Sequence, residues 1–246
     1  MFSLFLIALA VCCTAKSFSP RIVAAENQFP HQVAIIYGGG LRCGGSIYNH
    51  SWVITAAHCL VSGNGKKTLS ILAGTNELSR GGVKRNVTVQ IPHEDYGNFM
   101  NDIALLRLDE PLEFDESLKP IEVLTEEVPS GANVTISGWG KVSNTGGTSE
   151  KLKFNILVAL DNEECMFNVM DHPSVMCLGH SKGNGACNGD SGGSAMYDGK
   201  LCGVANFVMS GCGSTNPDGY AKVSVFADWI QETVAKYEQK SLLILL

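Results

Sequence analysis

From Asn86 to Ile91 the chain alternates strictly: apolar Val87, Val89 and Ile91 stand between polar Asn86, Thr88 and Gln90. A period of two predicts a strand with one face buried and the other wet. Phe154, Ile156, Val158 and Leu160 repeat the period and are the expected buried face of another strand. Ser51 to Thr55 and Ile103 to Leu108 are short runs dominated by apolar residues, as expected of strands buried on both faces. Glycine-rich breaks at 38–40, 63–65, 81–82 and 146–147 separate such runs. Helical spacing occurs near the end of the chain, where Phe226, Trp229, Ile230, Thr233, Val234 and Tyr237 share one face. Ser224 is the expected N-cap of that helix, and Asp228 sits where an acid favours its dipole. Glu110 to Pro129, rich in acids and proline and without a sustained period, is the expected connection between two halves. No internal sequence repeat is visible. The pattern is that of an all-β protein with a C-terminal helix.

At 246 residues the chain suits one large β domain or two smaller ones. Apolar content of 45% against 17% charged residues excludes a disordered chain. A net charge of −6 argues against nucleic acid as the main partner, because phosphate binding needs a basic face. Phe2 to Cys13 is almost wholly apolar and ends near small residues, with Cys13 and Ala15 arranged as in a signal-peptidase site. A bilayer crossing takes about 20 residues, so the run is short for one. Residues 1–15 are expected to be a cleaved signal peptide and the protein to be secreted. The end of the chain, Ser241 to Leu246, is too short to span a membrane or signal a lipid anchor. It reads either as a continued packing face or disordered end, or as a dock for lipid or a partner. Loss of Cys12 and Cys13 with the leader leaves seven cysteines, an odd number, so one stays unpaired in an oxidising compartment. Candidate N-glycosylation sequons stand at Asn49, Asn86 and Asn133.

Chemistry concentrates in three segments. In Asn184–Gly193 a serine, Ser191, is ringed by glycines and preceded by Asp190, which suits a loop presenting a hydroxyl nucleophile. The amides of Gly189 and Ser191 are placed to point together at a developing oxyanion. Thr55-Ala56-Ala57-His58-Cys59 offers a base, and Asn101-Asp102-Ile103-Ala104 offers a buried acid. The other five histidines have no comparable context.

Together these segments resemble the chymotrypsin family of secreted serine proteases, which carries histidine, aspartate and serine in this order along the chain. The match runs from about Arg21 to Lys240. The resemblance implies two antiparallel six-stranded Greek-key β-barrels and a C-terminal α-helix, with the active site in the cleft between the barrels. On this reading residues 1–15 are the signal peptide, 16–21 an activation propeptide and 22–240 the protease domain. Barrel one is expected at about 29–112, barrel two at about 131–224, the helix at 225–240 and an apolar tail at 241–246. Ser191 becomes the nucleophile, His58 its general base and Asp102 the residue that fixes the imidazole tautomer. Disulfides Cys43–Cys59, Cys165–Cys177 and Cys187–Cys212 are implied. Val134 and Tyr197 occupy the positions of a further bridge common in vertebrate members. Cys202 is left over, either buried on the strand leading to Asn206 or a reactive or intermolecular thiol.

The resemblance also implies an activation step. Cutting after Arg21 would free the Ile22 amine to pair with Asp190, ordering the oxyanion loop, and the uncut chain should be nearly inactive. The substrate pocket is expected from Gly185, Ala186, Asn206, Phe207, Val208 and Asp218. Gly185 stands where trypsins carry an aspartate, and Val208 narrows the entrance as in elastases. Asp218 reads either as a turn acid facing solvent or as a carboxylate lining the pocket. Other departures are Ala24-Ala25 after Ile-Val, Ser194 in place of a common proline, and Asn206, which is expected to donate toward Asp102. The family's calcium loop is shortened here, so no metal and no cofactor are expected.

The function implied is a secreted serine endopeptidase made as a zymogen, with elastase- or chymotrypsin-like or broad specificity. A digestive setting is expected because no regulatory module precedes the short propeptide. Its partners would be protein or peptide substrates, an activating trypsin-like protease and serpin-type inhibitors, with the protein itself a monomer. The alternative is a non-catalytic homologue that serves as a binding module in a proteolytic cascade.

Overall fold

The computed structural model describes residues 21–61, 68–161, 163–165 and 173–244. The expected signal peptide, residues 16–20 of the propeptide and the last two residues of the tail lie outside them. A two-residue strand, β1 (Ile22–Val23), precedes the first barrel. That barrel consists of β2 (Gln32–Tyr37), β3 (Gly40–Ile47), β4 (Trp52–Thr55), β5 (Leu69–Ala73), β6 (Val83–Pro92) and β7 (Ala104–Leu108), with a one-turn helix, α1 (His58–Val61), after β4. The strands close antiparallel in the order β2-β3-β4-β7-β6-β5. The second barrel comprises β8 (Asn133–Gly138), β9 (Lys153–Ala159), β10 (Val175–Gly179), β11 (Ser194–Tyr197), β12 (Lys200–Phe207) and β13 (Asp218–Lys222). Its ring runs β8-β9-β10-β13-β12-β11 and back to β8, with β1 added outside β9. Both barrels have the same order of strands, a repeat of topology that leaves no visible repeat in the sequence.

Residue type explains most of the strand placement. β4 and most of β7 are buried, with Trp52, Val53, Ile54, Leu105 and Leu106 all at 0% exposure, as their unbroken apolar runs require. Each such side chain contributes roughly 1.5–3 kcal/mol of burial, which fixes the register of the strands that share it. Along β6 half-buried and exposed positions alternate from Val83 to Pro92, with Val87, Val89 and Ile91 inward. In β9 the face is reversed from expectation. Asn155, Leu157 and Ala159 point inward, and Ile156 is 47% exposed. Apolar residues occupy both faces of β9, so its period does not decide the register. Phe154 instead packs outside the barrel against Phe29, with ring centroids 5.4 Å apart.

A final helix, α2 (Val223–Ile244), leaves the second barrel and packs back on the first through Phe226, Ile230 and Val234. Tyr237 meets the Trp52 ring edge-on, and Trp229 lies tilted against His93. α2 begins at Val223, so Ser224 lies within its first turn rather than at the cap, and the backbone stays helical past Lys240. No helix of the described residues is long and apolar enough to cross a membrane. The connecting segment is bonded to both barrels. The Ile121 amide donates to the Ile47 carbonyl, the Leu124 amide to Leu201, and Leu201 in return to Glu122.

A buried polar cluster locks the barrels together. Ser194 and Ser137 each donate a hydroxyl to Gln32 Oε1, at 2.8 and 2.9 Å. His31 Nε2 lies 3.1 Å from Ser194 Oγ, and burial lowers the His31 pKa to about 4, so the ring is neutral at physiological pH. The hydroxyl of Ser194 therefore makes bonds that a proline at this position could not.

Candidate active site

β4 carries the chain through buried Ala56 and Ala57 into α1, which opens on His58. Cys43 of β3 is bridged to Cys59 and fixes the start of α1. Asp102 arrives just before β7 from a turn with three non-glycine residues in left-handed conformation, Asn98, Phe99 and Asn101. Asparagine tolerates that region, whereas for Phe99 it costs about 1–2 kcal/mol. Two contacts hold Phe99 there: its carbonyl accepts from Asn206 Nδ2 at 2.7 Å, and its ring meets Phe207 edge-on at 5.7 Å. Asp102 is fully buried. Its Oδ1 accepts the His58 amide at 2.8 Å and its Oδ2 contacts His58 Nδ1 at 2.6 Å. One carboxylate thus fixes both the backbone and the ring of His58, leaving Nε2 to face away from it.

Ser191 lies in the turn between the barrels, its carbonyl accepting from the Gly44 amide at 2.7 Å. The amides of Asp190, Gly192 and Gly193 donate to the Cys187, Ala205 and Asp190 carbonyls. Among the described residues no acceptor takes the Gly189 or Ser191 amide, or the Ser191 hydroxyl. Gly189 (φ 98°) and Gly192 (φ 75°) hold conformations that favour glycine. At Gly192 a Cβ would also strike Thr55 Oγ1 and the Gly44 carbonyl of the first barrel.

Asp190 already has a cationic partner in the uncut chain. Its carboxylate forms a bidentate pair with Arg21, Nη1–Oδ2 and Nη2–Oδ1 both at 2.8 Å, and also accepts the Gly140 and Cys187 amides. Burial opposes the Arg21 charge, but Asp190 more than offsets it and the guanidinium pKa is raised. Ile22 and Val23 sit outside on β9, 48% and 51% exposed. In the uncut chain the partner of Asp190 is thus the Arg21 guanidinium, at the position expected for the Ile22 amine after cutting. Ala24 and Ala25 are unstrained, since the positive φ of this segment falls on Asn27 (φ 57°).

Beside Ser191 opens a cavity of about 230 Å³ lined by Phe99, Ala186, Asn206, Phe207, Val208 and Gly219. The far end of the Phe207 ring lies against Gly219, where a Cβ would overlap it. Gly185 lines an adjoining space of about 120 Å³ that also meets Arg21. Asn206 does not donate to Asp102; its amide goes to Phe99, and its Oδ1 is buried without a hydrogen bond. Asp218 is neither solvent-facing nor unpaired. It is 3% exposed, accepts the Ala186 amide, and lies 3.3 Å from His180 Nε2. Sequence reading missed His180, which ends up near the acid only because Leu178 of β10 pairs with Asp218 of β13. No local signal marks it.

The three expected disulfides are present. Cys202 is buried on β12, its thiol 3.3 Å from the Ala195 carbonyl and its pKa pushed up to about 12 by burial, so it stays protonated. Among the sequons, Asn86 and Asn133 are exposed on strands, while Asn49 is half-buried and its Oδ1 accepts the Ser51 amide. Cys43, His58 and Cys59 lie close together, but both sulfurs are tied in the disulfide, which removes them as metal ligands.

Comparison with known proteins places the chain among serine proteases. The family model described as Trypsin matches residues 22–230. Serine protease SP24D of Anopheles gambiae is 45% identical over 218 residues, covering 87% of this chain and 80% of that protein. Brachyurin of Leptuca pugilator is 32% identical, covering 85% of this chain and 95% of its own. Among solved structures, neuropsin, a serine protease expressed in the limbic system of mouse brain, superposes with a TM-score of 0.81 at 28% identity, over 87% of this chain and 98% of that one.

Proposed function

This chain belongs to the trypsin family of serine proteases, and on that premise we propose a secreted, zymogen-derived endopeptidase that acts through Ser191, His58 and Asp102. The observation that carries the reading is the fully buried Asp102, bonded to both the amide and Nδ1 of His58. With Nδ1–H donated to a carboxylate, Nε2 is the basic nitrogen. It takes the Ser191 proton as Oγ attacks a peptide carbonyl, then returns the proton to the leaving amine. The unbonded amides of Gly189 and Ser191 receive the oxyanion, and such donors are worth about 10²–10³ in rate each. Water then hydrolyses the acyl group by the same route in reverse. The disulfides support an oxidising, extracellular location.

Activation follows from Arg21. A trypsin-like protease that cuts after it removes one cation from Asp190, and the new Ile22 amine replaces it. The cavity beside Ser191 supports small to medium apolar residues before the cut bond, since Val208 narrows it and Phe207 floors it. Such a broad apolar preference suits a digestive setting. The protein cut after Arg21 should be labelled covalently by a fluorophosphonate at Ser191, and a folded, processed sample that takes no label would overturn the reading. On peptides differing only at the residue before the cut, alanine, valine or leucine should exceed phenylalanine; the reverse order would refute the pocket assignment.

A further inference from the structure

A second ionic pair lies directly behind the pocket. Asp218 Oδ2 accepts the Ala186 amide and lies 3.3 Å from His180 Nε2, within ion-pairing distance though not aligned for a hydrogen bond. The His180 side chain has no exposed surface, and its Nδ1 is 3.1 Å from the Ser181 carbonyl. Both ring nitrogens therefore face oxygen acceptors, which suits a doubly protonated imidazolium. Gly185 leaves room for the pair, because a Cβ there would collide with both Asp218 Oδ2 and His180 Nε2. Ala186, whose amide holds the carboxylate, and Gly219, which follows Asp218 in the chain, both line the cavity beside Ser191. The charge thus sits one residue behind the wall that a substrate side chain would touch.

We propose that His180 is a specificity-determining residue: as an imidazolium it neutralises Asp218 and keeps the pocket apolar, and on losing its proton it exposes a basic substrate side chain to the Asp218 charge. The inference rests on the protease reading and its pocket, and adds which side chains that pocket accepts as pH changes. Among the described residues, the charged and titratable groups around the pair are Asp218 and Tyr220 from β13, the protonated Cys202 thiol of β12, Asp190 from the serine loop and, before processing, Arg21. Arg21 and Asp190 neutralise each other, and the Ile22 amine takes over that role after cutting. Burial and the two carboxylates push the Tyr220 pKa far up, so it stays neutral. Asp218 is therefore the charge that His180 balances. Burial alone would lower the His180 pKa, but Asp218 and the Ser181 carbonyl outweigh it, and the ring titrates above its ordinary value. Below that raised pKa the pair is neutral overall and a basic side chain gains nothing. Above it the pair carries one negative charge and a basic side chain is favoured.

The processed protein is to be assayed from about pH 6 to about pH 9, across the range a raised histidine covers, on two peptide anilides that differ only in leucine or arginine before the cut bond. The arginine-to-leucine ratio of kcat/KM should rise roughly tenfold with pH, the effect of about one pKa unit of interaction. Chemistry common to both peptides cancels in the ratio. His180→Gln should give the high ratio at every pH, and Asp218→Asn the low one. A flat ratio in the parent protein, with leucine turnover intact, would overturn the proposal and leave the protease reading standing. Failure to cut either peptide or to take the fluorophosphonate would remove both.

Discussion

Replacing Ser191 with alanine should lower peptide hydrolysis by roughly 10⁵–10⁶-fold and leave the melting temperature of the protein in place. The two halves of that expectation come from different atoms. The loop is held by main-chain groups, with the Ser191 carbonyl on the Gly44 amide, the Gly192 amide on Ala205 and the Gly193 amide on Asp190. The hydroxyl has no acceptor among the described residues, so its removal breaks nothing that folds the protein. What remains after the substitution is binding and the oxyanion amides, which sustain a residual rate far below the parent's but above that of water. His58→Ala should fall by a similar factor, and the double variant by little more, because the two side chains act as one unit. Activity within about tenfold of the parent would dismiss Ser191 as the nucleophile.

The uncut protein with Arg21→Gln should resist conversion by a trypsin-like protease and should melt at a distinctly lower temperature than the uncut parent. Breaking a buried ion pair from one side costs about 3–5 kcal/mol. The Gly140 and Cys187 amides still hold Asp190, which places this case at the lower end. For a chain of this length about 3 kcal/mol corresponds to a fall of roughly 6–12 °C. The contrast with the processed form is as informative as the fall itself. On the proposed activation, the cut protein no longer contains Arg21 and Asp190 would be served by the Ile22 amine, whose reference pKa is about 8. Pairing raises that pKa, so the processed enzyme should lose activity as pH rises through the raised value, where the amine gives up its charge. Calorimetry of the uncut variant and pH profiles of the cut parent check the two parts. An unchanged melting temperature, or full activity from the uncut variant, would remove the ion-pair account.

How far the sequence determined this picture depends on the kind of constraint. Strand β6 was legible because its alternation offers one apolar face, and β4 and β7 because short unbroken apolar runs suit strands buried on both sides, where facing need not be decided. β9 was legible as a strand but not in its facing, because Phe154, Ile156 and Val158 compete with Leu157 and Ala159 for the interior, and the neighbouring strands decide. His58, Asp102 and Ser191 stood out because each lies in an unusual local context. His180, the Arg21 pair and the bond from Asn206 to Phe99 depend on which residues meet across the fold. They belong to register and reach, and no window of sequence holds both partners.

The segment between the barrels has a bearing on self-digestion. A protease at high local concentration is surrounded first by copies of itself, and an acidic, proline-bearing connection would be an obvious place to be nicked. Cleavage requires several residues to lie extended across another molecule's cleft with their amides and carbonyls free. Here the amides of Ile121 and Leu124 and the carbonyl of Glu122 are already bonded to one barrel or the other, and Leu112, Leu118, Ile121 and Leu124 are buried. The bonded part of the stretch, Ile121 to Leu124, can be presented to an attacker only after a local opening breaks those bonds. A cut between Ile121 and Leu124 would therefore report that opening rather than the closed form of the segment.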